Sequence, residues 1–280
     1  MKNKKLRNLA NSDNGVAGVL IAILMIGLII SFLTFIQTAF VPIWMEQKEA
    51  EHMDEVAKQF SQLKFAADTL SISATQSSAI STSITLGNKE IPFFSSSRAY
   101  GSIKLLPNNF KIEFKDINDT IYSYQLGTLK YESQNAYFID QSYNFENGAI
   151  ILSQPNEGDI TFLEPNIFCS GNQITCNLIK LNNIEKEDSI TGFGTYPIKL
   201  YFLNKLSQSI KSVKSITVYN SHIMAWEKYF DNLLKDNTEI SYTKNSNSND
   251  LTLTFEKIGS SVYPDIEVYQ TILNIKITST

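Results

Sequence analysis

The chain has 280 residues, 43% of them apolar and 19% charged, with two cysteines, two histidines and a formal net charge of −4. That composition describes a folded protein with room for one large or two modest domains. With 24 basic residues against 28 acidic ones there is no positive surplus to neutralise phosphates, which excludes a strongly basic nucleic-acid binder, and two cysteines exclude a disulfide-dense mini-scaffold.

The first 15 residues are a basic leader in which Lys2, Lys4, Lys5 and Arg7 are opposed only by Asp13. From Val16 to Trp44 the chain then runs 29 residues without a charge, and its polar character is confined to Ser31, Thr34, Gln37 and Thr38. A bilayer core of about 30 Å needs only about 20 helical residues, so residues 16–44 are expected to cross it as one helix. A soluble helix of this length would have to be buried around its whole circumference for eight turns, which soluble folds almost never provide. The flank after the span is acidic, with Glu46, Glu49, Glu51, Asp54 and Glu55 against Lys48. The positive-inside rule therefore places the N-terminus in the cytoplasm and the residues after the span outside the cell. A cleaved secretory signal would have a shorter apolar core and a small-residue cleavage site directly after it, whereas Val41, Pro42, Ile43 and Trp44 hold that place here. Trp44 is expected at the membrane interface.

The order Lys2, Lys4, Lys5, Arg7, then Asp13-Asn14-Gly15, then Val16-Ala17-Gly18-Val19-Leu20 resembles the prepilin-type leader of archaeal type IV pilin-like surface proteins. The resemblance implies that a membrane aspartyl leader peptidase cuts between Gly15 and Val16. Losing four cations and one acid would take the net charge from −4 to −7. Leu20 stands where many pilins carry a glutamate at the fifth mature position, a residue that archaeal members often lack. The resemblance rests mainly on the first 45 or so residues. It extends weakly into segments such as SITLGNKEIPFFSSSRAYGSIKL and NAYFIDQSYNFENGAIILSQ, which are similar to segments of archaeal surface proteins of this type.

Beyond the span, Met53, Val56, Phe60, Leu63, Ala67 and Leu70 recur at helical spacing and predict an amphipathic stalk helix over 45–70, its seam packed on the protein's own head or, as the alternative, on neighbouring subunits. Pro42 argues against an unbroken helix. Glu49-x-x-His52 has the spacing of a di-metal carboxylate half-site but lacks a second copy, so it is expected on a solvated juxtamembrane face.

From Ser71 to Thr280 the pattern is that of strands. Ile80, Ile84 and Leu86, then Phe110, Ile112 and Phe114, then Ile216 and Val218, then Leu251, Leu253 and Phe255, alternate with polar residues as half-buried strands do. Asn147-Gly148 predicts a type I′ hairpin. One helix, with Ile223, Trp226, Phe230, Leu233 and Leu234 on its apolar face and Ser221 as its cap, interrupts the strands. The expected fold is α+β: a long N-terminal membrane and stalk helix, then a mostly antiparallel, sandwich-like ectodomain over 71–280 with one inserted helix. Its 210 residues suffice for one elongated sandwich or two smaller ones, and the seams between two subdomains would fall near 154–159 and 182–188.

Cys169 and Cys176 bracket a short turn, and outside the membrane they are expected to form a disulfide that pins a hairpin end. Asn118-Asp119-Thr120 is an acceptor pattern for N-glycosylation at Asn118. Asp116, Asn118 and Thr120 begin like a calcium loop, but Ile121 stands where glycine is required, so a strand-connecting turn is expected. The sequence has neither a G-x-S-x-G elbow nor a phosphate loop, and two histidines offer little acid–base chemistry. No metal, cofactor or catalytic residue is expected. The partners are membrane lipid, the leader peptidase, and other pilin-like subunits or surface-layer proteins. The resulting expectation is a membrane-anchored pilin-like surface protein, a structural or minor component of a filament or envelope assembly and adhesive in role. A monomeric anchored binding module is the alternative, and an ectoenzyme ranks last.

Overall fold

The computed structural model describes residues 4–76, 78–88, 99–183, 189–257 and 262–278. It begins with helix α1 (Lys4–Phe35), which passes through a π-helical turn (Ile36–Phe40) into α2 (Val41–Ser73). The continuity expected to be imperfect at Pro42 is interrupted by this π turn and not by a break. In an α-helix the proline ring crowds the preceding turn and supplies no N–H. Here the π turn precedes it, the Val41 N–H reaches back to the Ile36 carbonyl, and Pro42 falls in the first turn of α2, where a missing donor costs little. α2 ends in a left-handed residue, Ala74 at φ 44°, whose N–H bonds to the Leu70 carbonyl.

Among the described residues the strands form three sheets. Sheet I orders Ala79–Thr85, Thr195–Ile210, Asp265–Ile277, Gln173–Asn183 and Ile167–Ser170. Its pairs are antiparallel except that 173–183 runs parallel to 265–277. Sheet II orders Ser189–Gly192, Tyr100–Leu106, Thr128–Gln134, Ser142–Glu146, Ala149–Gln154 and Gly158–Leu163. Sheet III orders Ser241–Ser246, Asp250–Glu256, Val213–Tyr219, Lys111–Asp116 and Ile121–Gln125. Helix α3 (Ile223–Leu234) follows the 213–219 strand. The fold is thus α+β, a long N-terminal helix followed by a largely antiparallel head, as the sequence predicts.

Two hydrophobic cores organise the head. One is built from the α2 seam, one face of sheet II and half of sheet I; the other from sheet III, α3 and the remaining half of sheet I. Side-chain parity shows how one sheet serves both. On the 173–183 strand Ile174, Cys176 and Leu178 enter the α3 core while Ile179 and Leu181 enter the α2 core. Alternate residues of a strand point to opposite faces, so the two cores lie on opposite faces of sheet I, displaced along its strands. The 195–210 strand makes the same change, with a register shift between Phe202 and Asn204. Sheet II behaves likewise, sending Ile150 to the α2 core and Ala149 and Ile151 to the other.

Those shared strands bear on the expected seams. The 154–159 segment is the tight turn between the 149–154 and 158–163 strands of sheet II. The second seam falls largely on 184–188, outside the described residues. The two cores are joined through continuous strands of sheet I. The Asn147-Gly148 hairpin is present with both residues at positive φ, 49° and 76°, and Asn147 Oδ1 accepts the Ile179 N–H on the edge of sheet I beyond the 167–170 strand.

Candidate membrane anchor and its junction with the head

The helical rod is divided by its surroundings. From Val16 to Phe35 every residue is exposed, and large apolar side chains such as Leu20, Ile23, Leu28 and Phe32 project on all sides. Among the described residues one helix is long and apolar enough to cross a membrane, and none of its most apolar stretch is buried. This separates it from the core helix of a soluble protein. Its hydroxyls are satisfied within the helix: Ser31 donates to the Gly27 carbonyl at 2.8 Å, Thr34 to Ile30 at 2.8 Å and Thr38 to Thr34 at 2.9 Å. Self-satisfied side chains lower the cost of polar groups in hydrocarbon. The π turn stacks residues five apart, so Phe35 meets Phe40 edge-on at 5.7 Å, and Phe40 in turn lies 5.9 Å from Trp44. Trp44 is 40% exposed at the end of this run. Gly15 and Val16 lie within α1.

At Val41 the pattern changes. Val41 and Met45 are buried, and the expected seam of Met53, Val56, Phe60, Leu63, Ala67 and Leu70 follows, every member of it buried. The seam packs between sheets I and II of the chain's own head. The buried stripe is wider than the apolar pattern, because it also takes in Glu49, His52, Gln59 and Ser71.

Glu49 and His52 are therefore not on a solvated face, as expected from the sequence, but among the most buried polar residues of the head. The Glu49 carboxylate accepts three backbone N–H groups of one loop, from Ala136 at 3.0 Å and from Tyr137 and Phe138 at 2.7 Å each. Fixed donors replace the water that burial removes, which is the condition under which a buried carboxylate is tolerated. His52 Nε2 lies 3.2 Å from the Tyr131 hydroxyl, which donates to the Leu86 carbonyl at 3.1 Å. That donation commits the hydroxyl proton, so the imidazole must be the donor in the His52–Tyr131 bond. Further up the helix, Gln59 Oε1 accepts the Thr85 N–H at 2.8 Å, and the Ser71 and Thr271 hydroxyls are 2.8 Å apart. Polar hooks thus hold α2 to both sheets along its length.

A second buried carboxylate, not anticipated from the sequence, fixes α3. Glu146 is 0% exposed. It accepts from His222 Nδ1 at 2.7 Å, Trp226 Nε1 at 3.2 Å, Thr128 Oγ1 at 3.4 Å and Asn220 Nδ2. Four donors match the four acceptor positions of a carboxylate, so none is left over for a substrate. The expected Ser221 cap is replaced: the residue preceding the helix is His222, and no side chain caps α3. His222 turns toward Glu146 instead.

The cysteines do not form the expected disulfide; both are free. They lie on the adjacent 167–170 and 173–183 strands, but Cys169 is opposite Ile174 and Cys176 opposite Ile167. They are diagonal neighbours, whose Cα atoms sit about 7–8 Å apart, beyond the usual reach of a disulfide. Cys169 accepts from Asn237 Nδ2 at 3.1 Å, while burial pushes the Cys176 thiol up to about 12. Asn118 is exposed in the turn between the 111–116 and 121–125 strands, where Asp116 Oδ1 accepts the Asn118 and Thr120 N–H groups at 2.8 Å each. The calcium-like residues are thus a strand-connecting turn. Among the described residues no three His, Cys, Asp or Glu side chains gather as a metal site. No protein-family model matches the chain, and the searches of curated proteins and of solved structures found no match.

Replacing Glu49 with alanine strands three N–H groups and is expected to lower the stability of the detergent-solubilised protein by about 2–3 kcal/mol. Amides 136–138 should lose protection in hydrogen exchange; unchanged protection would show that the carboxylate does not hold the loop. The two histidines make a second test. Burial lowers the pKa of His52, so the unfolded chain takes up a proton there first and stability is lost as pH falls below about 6.5. Burial also opposes the charged form of His222, but its bond and proximity to Glu146 outweigh burial and raise its pKa, so that its contribution is full below about 6.5 and lost as pH rises through the raised value. In an NMR titration one imidazole should titrate below about 6.5 and one above it, the latter missing in His222→Gln. Two unperturbed titrations would contradict both placements.

Proposed function

We propose that the chain is a membrane-anchored, pilin-like cell-surface protein. The head covers the helix from Val41, which shortens the expected 16–44 span: residues 16–40 cross the membrane from a cytoplasmic N-terminus, the head is extracellular, and leader peptidase cleaves between Gly15 and Val16. The observation that carries the reading is the division of one continuous helix into a half exposed on all sides and a half seated in antiparallel sheet. A naked apolar stem continuous with a seated stalk is how the pilin architecture that the leader resembles is built. The role that follows is a structural or minor component of a surface filament or envelope assembly, archaeal in type and adhesive, with Asn118 offering an exposed position for a glycan.

A second reading, a monomeric anchored binding module, is favoured by a specific observation. The heptad seam is consumed by the chain's own head, which removes it from contacts between subunits. Leu20 in place of a glutamate points the same way.

N-terminal sequencing of the native protein, combined with its native size on the cell surface and in detergent, tests the proposal. A chain beginning at Val16 and recovered in a larger assembly is expected. A chain that keeps Met1 and stays monomeric would replace the pilin-like reading with the anchored module.

A further inference from the structure

We infer that the underside of the head rests in the lipid headgroup layer, through a ring of apolar and aromatic side chains at the level of the first turns of α2. The inference rests on the reading of residues 16–40 as a membrane span and adds to it a second contact with the same bilayer.

Length fixes where the head stands. The charge-free run of 29 residues from Val16 to Trp44 measures about 43 Å as a helix, close to the 40–45 Å of a bilayer with its two headgroup zones. Burial by the head begins at Val41, inside that run. No spacer separates head from membrane. A span centred on the run places residues 41–44 of α2 in the outer headgroup zone and the next turn, 45–49, against the surface of that zone within side-chain reach, together with whatever the head packs beside them.

Two pieces of the head are held at that level. The first is the loop at 135–141. Glu49 clamps its backbone at 136–138, only five residues above Trp44, and a helical side chain leans toward the N-terminus of its helix, here toward the membrane. The loop is braced internally, with the Asn135 N–H on Asp140 Oδ1 at 2.7 Å, Asn135 Nδ2 on the Ile139 carbonyl at 2.9 Å and the Gln141 N–H on Ser133 Oγ at 2.8 Å. This rigid loop leaves Tyr137 and Ile139 exposed at 42% and 40%. The second piece is the Tyr100–Phe193 pair, edge-on at 6.2 Å with each ring 47% exposed. It adjoins the same loop, because Tyr100 pairs with Gln134, the residue directly before 135–141.

Side chains with an apolar body and a polar tip are enriched where hydrocarbon meets water, and Trp44, Tyr137 and Tyr100 are of that kind. A braced loop that fixes exposed apolar groups beside the emergence of an apolar stem fits the chemistry of a lipid interface. The opposite end of the rod gives the contrast: Ile72, 23 residues above Glu49 on α2, is also exposed but lies about 35 Å farther along the axis, in water.

The test uses the full chain reconstituted in lipid vesicles, with Cys169→Ser removing the partly exposed thiol while Cys176 stays buried and protonated. Spin labels are attached to single cysteines, Ile29→Cys, Tyr137→Cys, Phe193→Cys and Ile72→Cys, and relaxation is measured with oxygen and with a water-soluble nickel chelate. The inference predicts an oxygen-to-nickel preference at 137 and 193 intermediate between a high value at 29 and a low one at 72. Values at 137 and 193 equal to that at 72, with 29 still lipid-like, would overturn the headgroup contact and leave the span intact. A water-like label at 29 would overturn the span itself. Protection at 137 accompanied by spin–spin broadening, both lost on dilution with unlabelled protein, would assign the surface to a second copy and overturn the lipid contact.

Discussion

One helix exposed to two different environments is the constraint on which the rest of the structure depends. The backbone stays helical along the rod, so the environment of each part is decided chiefly by its side chains. From Val16 to Phe35 those side chains are largely apolar on every side and no part of the head covers them; from Val41 they are sorted, one stripe buried between two sheets and the remainder charged and wet. The π turn at 36–40 lies at that boundary. It absorbs Pro42 without a break, so the direction of the stem and the seating of the head are mechanically coupled.

The seating depends on buried polar groups as well as apolar packing. A seam of Leu, Phe, Val and Ala positions a helix in a groove but specifies its rotation and height poorly, since apolar contacts are non-directional. Glu49, His52, Gln59 and Ser71 supply that direction, each meeting a particular loop or strand. Glu146 does the same for α3, gathering three side-chain donors from 220–226 and one from Thr128. Both carboxylates sit where removing the acceptor would leave donors stranded, a larger penalty than the net worth of the bonds themselves.

The parts of this arrangement legible in the sequence are those written in local period. Absence of charge over 29 residues marks the stem, spacing of three and four marks the α2 seam, alternation marks the 111–116, 213–219 and 250–256 strands, and Asn147-Gly148 marks a turn that needs two positive φ values. What local period cannot carry is long-range satisfaction. Glu49 and His52 look solvated because their partners stand about 80 or more residues away, at Tyr131 and at 136–138. Asn144 and Glu146 lie on a strand covered on both faces, where alternation no longer separates core from solvent. The cysteines flank a turn of suitable length, but pairing also requires register, and a two-residue offset makes them diagonal. Ser221 fails as a cap because the helix begins after His222, whose side chain is drawn to Glu146.

The claim that the helix changes environment at Val41 is tested most directly by scanning single cysteines from 16 to 56, in a Cys169→Ser background, with a water-soluble thiol reagent on the membrane-embedded protein. The account predicts no labelling at any angle from 18 to 40. Beyond that, a helical pattern should appear, with 46, 47, 48, 51, 54 and 55 modified and 45, 49, 52, 53 and 56 protected. A one-sided helical pattern continuing down through 18–40 would contradict it, because the stem would then be packed against protein on one face and open to water on the other.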